Sequence, residues 1–102
     1  MQVQTIGSKM QEYVQDFREQ LLKGDMASVP ALIENSGTFF RELMQELPRG
    51  AFPCQEVEIF ASCVDRFGAA CGQRDLDAAA ATLAEMEEIT ETVRKKCGEK
   101  LA

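Results

Sequence analysis

VPALIENSGTFFRELMQEL, residues 29–47, repeats its apolar side chains at the period of an α-helix. Written as a heptad from Val29, it places Val29, Ser36 and Leu43 at a, Leu32 and Phe39 at d, and Ile33, Phe40 and Leu47 at e. Met26, just upstream, also falls at e. Glu34, Asn35, Arg41, Glu42 and Gln45 occupy the polar positions. An apolar face on a, d and e is wider than a two-helix seam requires, so this helix expects two or more neighbours. It reads as the central packing element of a small helical bundle.

Three further helices surround it in sequence. The first spans about residues 2–23, with Val3, Ile6, Met10, Tyr13 and Phe17 as its stripe and Val14, Leu21 and Leu22 widening it. Gly7-Ser8 interrupts it weakly, so its first turns are expected to fray or to begin at a Ser8 cap. Gly24-Asp25 makes the first turn. The second helix covers about 26–47, and Pro30 in its first turn favours Ser28 over Asp25 as the cap. Pro48, Gly50 and Pro53 break the chain. The third helix, about 53–73, carries Val57, Phe60, Val64, Phe67 and Cys71. Arg74-Asp75 forms the next turn, with Asp75 as cap. The fourth helix, about 76–97, holds Leu76, Ala79, Leu83, Met86, Thr90, Val93 and Cys97 in register, and Gly98 stops it.

Phe17 to Leu32 and Phe67 to Thr82 echo each other at an offset of 50 residues. The expected fold is therefore all-α: a single domain over residues 1–102, an antiparallel up-down-up-down four-helix bundle made of two similar αα-hairpins.

Composition narrows the function. The chain has 102 residues, 45% of them hydrophobic, which suits one globular domain. Its formal net charge of −6 argues against nucleic acid as a partner, because phosphate binding needs clustered Lys and Arg. The cluster Arg94-Lys95-Lys96 lies in the last turns of a helix, where cations favour the dipole. No apolar run reaches membrane length and no signal-peptide pattern opens the chain, so a cytoplasmic protein without membrane contact is expected. Four cysteines without a CxxC fit reduced thiols. Histidine is absent, which removes Ser–His and Cys–His catalysis and histidine haem ligation. No cofactor motif stands out, and an enzyme is not expected.

Two places compete for function. Ser36-Gly37 leaves a notch on the second helix, one turn before Phe39-Phe40. Ile33, Ser36, Gly37, Phe39, Phe40 and Met44 form the expected surface for a partner protein or a second copy, giving a homodimer. On this reading the chain is an acidic adaptor or chaperone-like bundle, and Phe40→Glu would abolish capture while leaving helicity intact. The alternative is a redox sensor or soft-metal carrier using Cys54 and Cys97. These lie 21 residues before and 22 after the Asp75 turn, hence at one level of a hairpin. Two thiolates alone rarely close a zinc site. Cys63 and Cys71 read as core, and Glu85, Glu87, Glu88 and Glu91 as a solvated face.

Overall fold

The computed structural model describes residues 3–50 and 52–96. Four helices follow one another: α1 (Val3–Lys23), α2 (Val29–Glu46), α3 (Cys54–Gly72) and α4 (Leu76–Lys96). No strand occurs among the described residues. The helices form the expected four-helix bundle, 36 Å long and 17 Å thick. Consecutive helices pack on each other, and α1 closes on α4.

The core runs through the stripes read from the sequence. Ile6, Met10, Val14 and Phe17 of α1 are buried, as are Val57, Phe60, Val64, Phe67 and Cys71 of α3 and Ala79, Leu83, Met86 and Val93 of α4. Thr90 is also buried, and its hydroxyl donates to the Met86 carbonyl at 2.7 Å, so no polar atom there lacks a partner. Three positions depart from the expected stripes, Leu22 among them at 80% exposed. Tyr13 is only half-buried, with Val14 taking its place in the core, and Leu76 is 54% exposed.

Gly7 does not break α1. A Cβ there would sit 3.0 Å from Cγ of Arg94 and 3.6 Å from Cγ1 of Val93. Its bare backbone instead lets α1 and α4 approach closely, and that packing offsets the propensity lost.

The entry to α2 also differs from expectation. Met26–Ser28 forms a 3₁₀ turn before α2 begins at Val29. Asp25, not Ser28, makes the capping bonds: its carboxylate accepts from the Ser28 amide at 3.3 Å and from the Ser28 hydroxyl at 2.8 Å. Ser28 is occupied as a donor to Asp25 and has no cap bond of its own.

Nor is α2 the centre of the bundle. α3 buries eight residues and α2 four, so α3 is the element most enclosed by its neighbours. α2 packs along α3 but meets α1 over a much shorter line. Ion pairs follow the same division. Arg18 of α1 pairs with Glu87 of α4, Arg66 of α3 with Glu85 of α4, and Lys96 of α4 with Glu56 of α3. Among the described residues, α2 makes no ion pair to another helix.

The two hairpins close through the same turn. The Gly24 amide donates to Leu21 O and the Asp25 amide to Gln20 O. Fifty residues on, the Arg74 amide donates to Cys71 O and the Asp75 amide to Ala70 O. Both aspartates then cap the next helical segment, Asp75 accepting from the Ala78 amide at 3.1 Å. This pattern of helix ending requires a left-handed residue, which is Gly24 (φ 70°) in one copy and Arg74 (φ 58°) in the other. An L side chain in that region is strained by about 1 to 2 kcal/mol, partly offset in a glycine variant by a freer unfolded chain. Arg74→Gly is thus expected to stabilise the protein by about 0.5 to 1 kcal/mol, read as a rise in urea midpoint at unchanged slope.

Candidate functional site

The wide face of α2 is distributed over two neighbours. Its a positions, Val29, Ser36 and Leu43, are buried, together with Phe40. The d and e flanks, Leu32 and Phe39 on one side and Ile33 and Leu47 on the other, remain half-buried.

The six residues expected to meet a partner therefore separate. Phe40 is 2% exposed, with ring centroids of Tyr13, Phe39 and Phe60 at 5.8, 5.2 and 5.0 Å. It belongs to the core that joins α1, α2 and α3, so Phe40→Glu tests the fold rather than a surface. Ser36 is fully buried and its hydroxyl donates to the Ile33 carbonyl at 3.0 Å. Phe39 lies on the α1 side, 5.9 Å from Tyr13. Met44 lines a separate depression with Leu47, Arg49 and Cys54 at the interhelical link. Ile33 leans on Gly68 of α3, so closely that a Cβ on Gly68 would overlap the Ile33 Cδ1. Only Gly37 faces open space, with nothing within 4 Å of where its Cβ would be.

Ile33, Gly37 and Phe40 do share one feature, a groove between α2 and α3. One half, of about 370 Å³, is lined by Gly37, Phe40 and Arg41 of α2 and by Ala61 and Val64 of α3. The other half, of about 700 Å³, is lined by Met26, Val29, Pro30, Cys71, Gly72 and Arg74. Ile33, Glu34 and Asp65 border both halves. These volumes are of the size that takes a side chain or a small ligand. The α3 wall is absent from the sequence reading. A signal for it exists: Ala61 and Gly68 are small residues seven apart beside the apolar stripe of α3, with Asp65 between them.

Tyr13 marks the other edge of α2. Burial raises its phenol above the usual value, and the charges of Glu12 and Asp16 raise it further. The folded state therefore holds this proton more tightly than the unfolded chain. Stability present below pH about 10 is lost as pH climbs through the folded value. The thermal midpoint should fall on that alkaline limb, and fall less in Tyr13→Phe. With one tyrosine and no tryptophan in the chain, tyrosinate absorbance follows this residue alone.

Three of the thiols lie among the described residues. Cys54, Cys63 and Cys71 are free and buried. Burial pushes the Cys63 thiol up, against the opposing pull of the Arg66 guanidinium that donates to its Sγ at 3.1 Å, and burial alone pushes Cys71 up. Both are held as thiols, the unreactive form. Lys96 lies over the Phe52 ring and 3.9 Å from Glu56, so the end of α4 reaches the level of the start of α3. Cys97 itself lies outside the described residues, and with it the pairing with Cys54. Among the described residues, no three Cys, Asp or Glu side chains converge as metal ligands.

The glutamates of α4 divide between solvent and ion pairs. Glu85 and Glu87 hold Arg66 and Arg18, and Glu91 holds Lys95. The basic cluster is engaged as well, with Arg94 donating to Gln11 and Lys96 facing Glu56. No described helix is long and apolar enough to cross a membrane. No family model, curated protein or solved structure matches this chain.

Proposed function

We propose that the chain is a non-enzymatic interaction module of the adaptor or chaperone-like kind, working in the cytoplasm, that receives a segment of a partner protein or of a second copy along α2. The observation that carries this reading is the open groove at Gly37. α2 is fastened to α3 by apolar contacts, yet its middle leaves a channel floored by Phe40, Ala61 and Val64 with no described residue filling it. An exposed groove of apolar floor and charged rim suits capture of an amphipathic segment. Buried unpaired thiols agree with a reducing compartment.

Gly37→Trp tests the reading. The substituted ring enters open space, so helicity and thermal midpoint should hold while the groove is blocked. The wild-type chain is used as bait, the captured protein is identified, and the complex is rebuilt from purified components. Affinity for that protein should drop about tenfold or more in Gly37→Trp, the loss of a well-packed contact of about 1.4 kcal/mol. Unchanged affinity in a folded Gly37→Trp protein removes α2 from the binding role.

A further inference from the structure

The α2–α3 groove carries a charge pattern of its own. Glu34 on α2 and Asp65 on α3 both border the two apolar halves, so they stand where those halves meet. Both are exposed, and neither carboxylate has an ion-pair or hydrogen-bond partner among the described residues. The far ends of the groove carry Arg41 and Arg74, one in each half. Arg41 is partly engaged, its Nε donating to the Gly37 carbonyl at 3.3 Å. Along its length the groove thus runs cation, apolar floor, two carboxylates, apolar floor, cation.

The geometry points to one occupant: an amphipathic helical segment of a different protein, with a single Lys or Arg set between two apolar side chains. This rests on the proposed binding role of the groove and names the chemistry of the partner. The apolar pair would enter the halves on either side of Ile33, and the cation would meet Glu34 and Asp65. Two carboxylates bordering one open channel both attract a cation placed between them. The terminal arginines oppose further basic residues on the segment, so selection is for one central cation and not for polycations.

A second copy of the chain fits this pattern poorly. Each copy carries −6, so two copies repel at long range. Of its 11 Lys and Arg residues, Arg18, Lys23, Arg66, Lys95 and Lys96 already pair within the chain. A foreign segment has neither handicap.

The probes are three fluorescein-labelled helical peptides of one Ala-rich sequence, with Leu four residues before and three residues after a central Lys, Gln or Glu. Anisotropy is read against the wild type, Glu34→Gln/Asp65→Asn and Gly37→Trp, all three checked for folding by circular dichroism. The Lys peptide is expected to bind the wild type at least tenfold tighter than the Glu peptide, and to weaken as salt rises. Glu34→Gln/Asp65→Asn should bring the three peptides to within about threefold of one another, the sign that the two carboxylates supply the discrimination. Gly37→Trp should bind none of them. Equal binding of all three peptides to the wild type, abolished by Gly37→Trp, overturns the basic-segment inference while leaving the groove as a binding site. Binding that survives Gly37→Trp, or no binding by any peptide, overturns both. A dimer mass in light scattering that reverts to monomer in Gly37→Trp also overturns the inference, because the groove then holds a second copy.

Discussion

Phe40→Glu is expected to unfold this protein. The Phe40 ring is 2% exposed and stands among the rings of Tyr13, Phe39 and Phe60, which come from α1, α2 and α3. Deleting such a ring from a packed core costs about 3 to 5 kcal/mol. A carboxylate in its place adds a desolvation penalty of several kcal/mol, or gives up its charge at a similar cost. Total stability for a domain of this size is about 5 to 15 kcal/mol, so the two losses together consume it. Far-ultraviolet circular dichroism should show the cooperative thermal transition gone. The neighbouring change Phe39→Glu is the control. That ring is half-buried at the α1 edge, where a glutamate can turn to water, so the variant should keep a cooperative transition at a lower midpoint. A cooperative melt for Phe40→Glu would move Phe40 out of the core and reopen α2 as a surface.

The architecture is legible in the sequence because helical period, capping residues and breakers agree with one another. Phe60, Val64 and Phe67 fall on one stripe and are buried on one stripe, and the offset of 50 residues resurfaces as two turns with the same hydrogen bonds. Inferences from one helix about its surroundings are the ones that fail. A wide apolar face on α2 suggests centrality. Such a face is equally the signature of a helix that leans on two neighbours with its flanks half-covered, and periodicity does not distinguish these. Leu76 begins the apolar stripe of α4, yet the first turn of a helix often projects past the layer it leads into, and Leu76 stays exposed. Propensity alone makes Gly7 a weak point, whereas its position is set by how near α4 comes.

Only half of the candidate site is legible in the same way. Gly37 stands out as a missing side chain in an apolar helix, and it is the residue at the open channel. The opposite wall depends on which face of α3 meets α2. Ala61, Asp65 and Gly68 acquire meaning only once the two helices are placed side by side. Nearness in sequence groups Met44 and Phe39 with Gly37, but Phe39 is turned about 200° away, and Met44, on nearly the same face, lies about two turns further along the axis, in the depression at the interhelical link.

Phe17 and Phe67 together should prove the strongest link between the two hairpins. Both are fully buried, they occupy equivalent positions of the repeat, and their rings meet at 4.9 Å with an interplanar angle of 58°. α1 and α3 stand diagonally in the bundle, where backbones stay apart, so large side chains have to span the centre. Truncating either ring to alanine is expected to cost about 3 to 5 kcal/mol, enough to bring the chain close to unfolding. Phe17→Leu and Phe67→Leu keep the core filled and allow a complete cycle by urea denaturation, each costing about 1 to 1.5 kcal/mol. The double variant should be less destabilised than the sum of the two singles by about 0.5 to 1.5 kcal/mol, the part that belongs to a tilted ring pair. Strict additivity would mean that each ring packs only within its own hairpin. The hairpins would then be joined by the Phe40–Phe60 contact and the aliphatic layers, without an aromatic link across the diagonal.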